Sequence, residues 1–187
     1  MKVDFLSTLF IVFILIISQS LGFSSVFAQI ETKPNDNLYW INGGLGRSSL
    51  GSLGGSAGIS IQLKKMMFSL RATGNSEKGG WFEGGDEFSD VGLLIGIATQ
   101  RPKNHASFSV GLARVTGSRY IETETKGFSL FSGKRVDISP TIGFPIESQL
   151  FLKLSSWFGM GLNIYFNINE KRTFGGITLN LMLGKLR

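Results

Sequence analysis

The most regular alternation of apolar and polar residues in this chain runs from Trp157 to Leu183. The apolar positions are Phe158, Met160, Leu162, Ile164 and Phe166 in its first half and Ile177, Leu179, Leu181 and Leu183 in its second half. A period of two predicts β-strands rather than helix. The opposite face carries Gly, Asn and Thr with almost no charge, whereas a soluble sheet would expose Lys and Glu there. We therefore interpret the segment as a hairpin in the wall of a transmembrane barrel, with the apolar side chains facing lipid.

Similar alternation in six further segments brings the number of predicted strands to eight. These segments span residues 38–47, 55–64, 66–74, 91–100, 106–116 and 138–154. Most are close to the ~9–11 residues that a tilted strand needs to cross a bilayer. We predict an all-β fold over residues 38–187, namely an eight-stranded antiparallel up-and-down transmembrane β-barrel. Pro140 and Pro145 each remove a hydrogen-bond donor, so a bend or bulge is expected near them.

The connections between the predicted strands alternate in length. Turns after the second, fourth and sixth strands are short, whereas residues 75–90 and 117–136 form long loops. Outer-membrane barrels have short periplasmic turns and long extracellular loops. We therefore expect both long loops to face the cell exterior and to be available to an extracellular partner. Loop 75–90 is acidic but lacks the residue order of a calcium-binding loop, which favours a solvated loop.

Several polar and charged side chains fall on the inner face of the predicted barrel. They are Gln62, Arg71, Glu147, Gln149, Lys153, Asn163 and Tyr165. Arg71 and Glu147 lie near mid-height of strands that are roughly opposite in a ring of eight. A charge buried in so narrow a barrel is costly unless it is paired. We predict that these two residues meet, with Gln149 or Tyr165 supplying further hydrogen bonds; separate hydration of each is the alternative.

Alternation alone does not establish which face of the sheet points outward. A soluble lipocalin-like barrel would put its apolar face inside and bind a hydrophobic ligand there. Its outer surface would then be Gly, Ser, Asn and Thr, without the charge that keeps proteins soluble. Small side chains suit the lumen of an eight-stranded barrel, which side chains nearly fill. The membrane interpretation is therefore preferred, and the lipocalin-like one is kept as the alternative.

Composition narrows the possible chemistry of the 187 residues. The absence of cysteine excludes a disulfide framework and a thiolate metal site. The formal charge of +6 is not accompanied by an aromatic-basic motif for nucleic acid. We therefore expect no cofactor, no metal site and no nucleic-acid partner.

The amino-terminal segment is typical of a secretory signal peptide. Lys2 precedes an apolar run from Phe5 to Ile17, and Ala28 offers a small residue for cleavage. The run is shorter than the ~20 residues of a membrane-spanning helix, which makes an anchor helix the weaker interpretation. We predict a signal peptide over residues 1–28 and a short periplasmic lead-in over residues 29–37.

Over residues 38–187 the chain resembles the small OmpA/OmpX-type outer-membrane barrels. The resemblance rests on strand number, loop parity, the signal peptide and aromatic residues near strand ends: Tyr39, Trp40, Trp157, Phe158 and Phe174. It implies an exported, monomeric barrel in the bacterial outer membrane, surrounded by outer-membrane lipids and inserted by the barrel assembly machinery. One departure is the carboxyl terminus, because many such barrels end in an aromatic residue and this chain ends in Leu186-Arg187.

The expected function is non-enzymatic, with a structural role in the envelope or a surface interaction through the long loops. A lipid A-modifying enzyme is an alternative, and acyl transfer by a serine needs a base within hydrogen-bond reach. The single histidine, His105, is predicted to be exposed in a short turn beside Lys103 and Asn104. A pore is a further alternative, although eight strands leave little channel and inward Arg71 and Lys153 would obstruct it.

Overall fold

Eight antiparallel strands form a closed barrel in the computed structural model, which describes residues 37–77, 85–101, 103–122 and 133–186. The strands are β1 (Leu38–Ser48), β2 (Gly51–Leu63), β3 (Met66–Glu77), β4 (Glu87–Gln100), β5 (Asn104–Glu122), β6 (Gly133–Lys153), β7 (Phe158–Asn169) and β8 (Phe174–Lys185). Each strand pairs with the next, and β1 pairs with β8. The predicted barrel is confirmed. The predicted signal peptide and the lead-in before Asn37 lie outside the described residues.

The two ends of the barrel differ in their connections. At one end, here called the short-turn end, strands are joined through residues 64–65, 101–103 and 154–157. The opposite end, here called the long-loop end, carries the connections at 78–86 and 123–132. The parity of long and short connections that the sequence predicts is therefore present in the fold.

The side-chain alternation of every strand separates an apolar outer face from a mostly polar interior. Leu93, on the outer face of β4, is 71% exposed, whereas its neighbour Leu94 is buried. Among the side chains predicted to face lipid, Leu162, Leu179, Leu181 and Leu183 are exposed and the others are partly exposed. Because the exposed face is apolar and the buried face carries Ser, Asn, Gln and charges, the polarity is the reverse of that of a soluble barrel.

Strands extend further toward the long-loop end than the apolar alternation predicts. The prediction that residues 48–54 separate the first two strands is wrong, because β2 begins at Gly51 and only Ser49 and Leu50 lie between it and β1. Gly51 has a φ of 95°, a conformation that glycine adopts without steric cost and that permits this tight turn. The Ser49 amide also donates to the Gly175 carbonyl at 2.8 Å, which ties the turn to β8.

The two long loops are shorter than predicted for the same reason. Asn75 pairs with Phe88 between β3 and β4, and Tyr120 pairs with Arg135 between β5 and β6. Ladder hydrogen bonds satisfy the backbone here although the side chains are polar, so pairing continues above the apolar band. The predicted loop 75–90 is thereby reduced to residues 78–86, and the predicted loop 117–136 to residues 123–132.

The bulge expected in β6 lies at Pro140. The register between β5 and β6 shifts between Val115 and Gly117, which pair with Thr141 and Ile138 respectively. One residue of β5 therefore faces two residues of β6, including a proline that has no amide to donate. Pro145 causes no such shift and keeps its place opposite Asn167 of β7.

Apolar clusters close the interior at both ends. At the short-turn end the cluster consists of Leu38, Trp40, Met67, Ala98, Phe151, Met182 and Leu186. At the long-loop end it consists of Leu50, Phe88, Val115 and Phe174, with Ile138 packed against it. The polar middle of the lumen is therefore enclosed between two apolar layers.

Close approach of neighbouring strands leaves no room for a side chain at some inward glycines. A Cβ atom at Gly44 would overlap the Leu179 carbonyl oxygen and lie 2.7 Å from Asn180 Cα. We expect Gly44→Ala to lower the free energy of unfolding by about 1–3 kcal/mol, because backbone atoms of β8 would have to move. Urea unfolding in detergent micelles measures this loss.

Gly74 provides the matched control for Gly44. A Cβ atom there has nothing within 4 Å, and the residue faces outward. Gly74→Ala should therefore change the free energy of unfolding by no more than about 0.5 kcal/mol. Equal losses for the two variants would contradict the close packing of β1 against β8.

Candidate functional site

Three buried charges from three strands meet in the middle of the lumen. The Nη1 atom of Arg71 (β3) lies 3.3 Å from Oε2 of Glu147 (β6), as predicted. The shorter contact, 2.7 Å, joins Arg71 Nη2 to Oδ2 of Asp90 (β4). These side chains are 2%, 2% and 0% exposed. One guanidinium therefore serves two carboxylates away from water.

Asp90 is the member of this site that the sequence analysis missed, because that analysis placed it in an acidic loop. Asp90 accepts hydrogen bonds from Thr73 Oγ1 at 3.0 Å and Asn167 Nδ2 at 2.5 Å in addition to its bond with Arg71. The signal that reveals it is parity, since Asp90 lies two residues before the inward Gly92 in the same alternation. Extending the strand backward from its apolar part would have brought Asp90 inside.

Tyr165 contributes to the cluster differently from the prediction. Its hydroxyl donates to Asn75 Oδ1 at 2.7 Å and makes no described hydrogen bond to Arg71 or Glu147. Its ring centroid instead lies 5.6 Å from the Arg71 guanidinium carbon, within the range of a cation–π contact. Gln149, the other predicted partner, does donate to Glu147 through Nε2.

A second, uncharged network extends the polar interior across β2, β7 and β8. Ser56 Oγ lies 2.8 Å from Thr178 Oγ1 and accepts from Asn180 Nδ2 at 3.0 Å. Asn163, one of the predicted lumen residues, donates to the same Ser56 oxygen at 3.4 Å. Polar side chains from distant parts of the chain thus hold opposite parts of the wall together.

Gln62 and Lys153 are inside the barrel, as alternation predicts, but they lie at the short-turn end. Gln62 donates from Nε2 to the Lys64 carbonyl at 2.6 Å, so it caps the β2–β3 turn. Lys153 is buried at the last position of β6. Neither has a described hydrogen bond to Arg71 or Glu147.

The prediction that His105 is exposed in a turn is wrong. His105 is 2% exposed, and its ring packs edge-on against Trp40 with centroids 4.9 Å apart. The reason is that β5 begins at Asn104, so His105 shares the inward parity of Ser107 and Ser109. In the described part of the chain, no hydroxyl forms a hydrogen bond with its Nε2 atom.

Arginines pair with the acidic residues at the long-loop end. Arg172 donates to Glu77 Oε1 at 3.3 Å and to Asp86 Oδ2 at 3.4 Å, and Arg119 Nε lies 3.5 Å from the same Asp86 oxygen. Arg172 also lies 5.9 Å from the ring centroid of Phe88. These contacts join the β7–β8 turn to the β3–β4 connection above the apolar cluster. Glu77 and Asp86, which were predicted to lie in a solvated loop, are therefore engaged in ion pairs.

In the residues that the structure describes, no group of three His, Cys, Asp or Glu side chains could hold a metal ion. Over the same residues, no helix is long and apolar enough to cross a membrane.

The central ionic cluster should be strongly coupled. We expect Arg71→Met to lower the free energy of unfolding by about 3–5 kcal/mol, because it leaves two buried carboxylates without a counter-charge. The triple variant Arg71→Met, Asp90→Asn, Glu147→Gln should lose less than Arg71→Met alone. Denaturant unfolding in detergent, followed by tryptophan fluorescence, measures both.

Lys171→Met serves as the control for this series, because Lys171 is exposed in the turn between β7 and β8. It should change the free energy of unfolding by at most about 0.5 kcal/mol. Strictly additive losses in the three single variants and the triple variant would show that the charges act independently.

Comparisons with known proteins detect similarity in structure alone. No protein-family model matches the sequence, and no curated protein matches it. Neisserial surface protein A superposes with a TM-score of 0.57 at 9% identity, covering 79% of this chain and 96% of that one.

Two further solved structures are similar to the same extent. The N-terminal barrel of Pseudomonas aeruginosa OprF gives a TM-score of 0.54 at 10% identity, over 80% of this chain and 98% of that one. Ail, the attachment invasion locus protein of Yersinia pestis, gives 0.51 at 10% identity, over 80% and 96%. The fold is therefore that of the small OmpA/OmpX-type eight-stranded barrels.

Proposed function

We propose that this protein is a bacterial outer-membrane β-barrel without enzymatic activity, which has a structural role in the envelope or binds a surface partner through its long loops. The observation that carries the proposal is the continuous apolar outer face. Leu45, Ile59, Leu93, Leu112 and Ile142 lie on five different strands, and all of them are exposed. Soluble monomers rarely expose apolar patches beyond a few hundred Å².

Aromatic residues at one end of the apolar face also support a membrane location. Tyr39 and Trp157 are exposed near the short-turn end, and the Trp157 ring lies 6.0 Å from that of Phe158. Aromatic girdles at the headgroup level flank the apolar band of outer-membrane barrels. The lipids of the outer membrane are therefore the proposed environment, and the barrel assembly machinery is the proposed route of insertion of a monomer.

The interior argues against the soluble alternative. A lipocalin-like carrier needs an apolar cavity for its ligand, whereas the interior of this barrel holds the Arg71–Asp90–Glu147 cluster. Such a cluster would be a poor environment for a hydrophobic ligand. The same filled interior, closed by apolar clusters at both ends, argues against a constitutive pore.

The position of His105 supports a non-enzymatic role. A lipid A-modifying enzyme would need its base on a surface that lipid can reach. The His105 ring instead packs inside the barrel between Trp40 and Phe151, with centroid distances of 4.9 Å and 6.4 Å. A base in this position has no access to an acyl ester in the bilayer.

Membrane insertion is the first test of this proposal. Residues 29–187 should require detergent for extraction and should migrate differently on gels before and after boiling, because a closed barrel resists unfolding by detergent alone. Leu93→Lys should destabilise the inserted barrel by about 2–4 kcal/mol, since its side chain lies near the middle of the apolar band.

Thr99→Lys is the matched control on the same strand. Thr99 is exposed on the same outer face but lies near the end of β4, where a charge should cost about 0–1 kcal/mol. Recovery of a monodisperse protein without detergent would refute the membrane proposal. Equal costs for both lysines would indicate that this face does not contact the bilayer interior.

The proposed role of the long loops requires that they face the cell exterior. Single cysteines at Ser76 and Lys171, near the long-loop end, should react with a membrane-impermeant maleimide on intact cells. Cysteines at Lys65 and Asn104, at the short-turn end, should react only after the cells are broken. The reverse labelling pattern would invert the topology and place the long loops in the periplasm.

A further inference from the structure

The charges at the two ends of the barrel are distributed unequally. Basic residues at the short-turn end, here called the basic collar, are Lys64, Lys65, Arg101, Lys103 and Lys185. Carboxylate residues in the described part of the chain are Glu77, Asp86, Glu87, Asp90, Glu122, Asp137, Glu147 and Glu170. None of these carboxylate residues lies in the three short turns. At the long-loop end arginines pair with carboxylates, as in Arg135–Glu87 and Arg172–Glu77, whereas the charged residues of the three short turns are all basic.

The collar is fixed to the barrel wall. The Lys65 carbonyl accepts a hydrogen bond from the Ala98 amide at 2.8 Å, and the Lys103 carbonyl accepts one from the Lys153 amide at 2.7 Å. Each turn is therefore held by the strand beside it, while the side chains of Lys64, Lys65 and Lys103 are exposed. The positive charges are held near the wall with little freedom of the backbone.

Lys64 occupies an unfavourable backbone conformation. Its φ of 57° falls in the left-handed region, which glycine or asparagine adopts more readily. Glycine or asparagine would therefore adopt this turn conformation at a lower energetic cost than lysine does. A lysine at this position is more easily understood if its exposed amino group has a role.

The height of the collar relative to the apolar band identifies what lies around it. Lys185 pairs with Tyr39, one of the exposed aromatic residues that end the band. The Gly184 amide donates to the Trp157 carbonyl at 2.9 Å, so the β6–β7 turn lies at the same level. Interfacial aromatic rings sit at the headgroup level of a bilayer. The collar is therefore at the height of lipid phosphates.

We propose that the basic collar binds the headgroups of anionic phospholipids in the leaflet at the short-turn end. The inference rests on the proposed membrane location and adds a preferred lipid class to it. Basic residues next to an apolar membrane segment attract anionic lipids, and the attraction declines within a Debye length. Phosphodiesters with a net negative charge, such as phosphatidylglycerol, have the chemistry that fits; zwitterionic phosphatidylcholine lacks the net charge.

Local quenching by brominated lipids tests the proposal next to Lys64 and Lys65. Met66 follows this turn and faces outward, so Met66→Trp places a reporter beside the two lysines. Trp81→Phe and Trp157→Phe remove two other tryptophans, and Trp40 stays buried as a constant background. This reporter protein is inserted into phosphatidylcholine vesicles that contain brominated phosphatidylglycerol or, in a parallel series, brominated phosphatidylcholine.

At about 20 mM salt we expect phosphatidylglycerol to bind beside the reporter about threefold more strongly than phosphatidylcholine. The preference should fall to about one in K64Q/K65Q, because the local charges are removed, and also in high salt. The control R47Q/R114Q removes two exposed charges from the outer face toward the long-loop end. That control should leave the preference at the reporter unchanged.

The proposal would be overturned by the absence of a preference in the reporter protein, or by a preference that persists in K64Q/K65Q. Brominated phosphatidylcholine quenches the reporter only if the barrel is inserted in the bilayer. Quenching without a lipid preference would therefore contradict the lipid proposal and leave the membrane proposal intact. A third result would also overturn the proposal. The protein would show no lipid preference but would co-sediment with purified peptidoglycan, and K64Q/K65Q would abolish this binding. The cell wall would then be the anionic partner.

Discussion

Closure of the sheet is the constraint on which the other features of this protein depend. Pairing of β1 with β8 runs from Tyr39 opposite Lys185 to Ser48 opposite Gly176 and leaves no open edge in the wall. The backbone groups of the wall are satisfied within the wall, so its outer face can be apolar without cost. Closure with only eight strands also makes the interior narrow. A small side chain is then required where strands approach, as at Gly44, and a charge must meet an opposite charge, as at Arg71.

The apolar clusters at the two ends strengthen the ionic cluster between them. Trp40 and Phe151 at one end, and Phe88 and Phe174 at the other, separate the Arg71 cluster from bulk water. With water excluded, the effective dielectric constant falls and attraction between opposite charges increases. The same exclusion raises the cost of leaving any of these charges unpaired. Stability of the barrel therefore depends on polar contacts in its interior, whereas the apolar residues of its outer face suit it to a lipid environment.

Much of this architecture follows from the sequence because β-strands have a strict period of two. Within the predicted strands, that period indicates which face the apolar residues occupy, and it brings Arg71 and Glu147 together across the lumen. It fails where strands continue beyond their apolar part. Asp90 and His105 both have inward parity, but polar surroundings suggested a loop and a turn. Their places are determined by pairing with a neighbouring strand, as between Asp90 and Val115, and a single strand's composition does not reveal that partner.

The arrangement of the central charges has a consequence for how the chain can enter a membrane. Arg71 and Asp90 are 19 residues apart on strands joined by one connection, whereas Arg71 and Glu147 are 76 residues apart. A contact between near neighbours forms with a smaller loss of chain entropy than one between distant residues. The guanidinium can therefore be neutralised within a single hairpin, before the wall is complete. We expect Glu147 to join this ion pair only when β6 docks, so that assembly does not require an isolated arginine to cross the hydrocarbon.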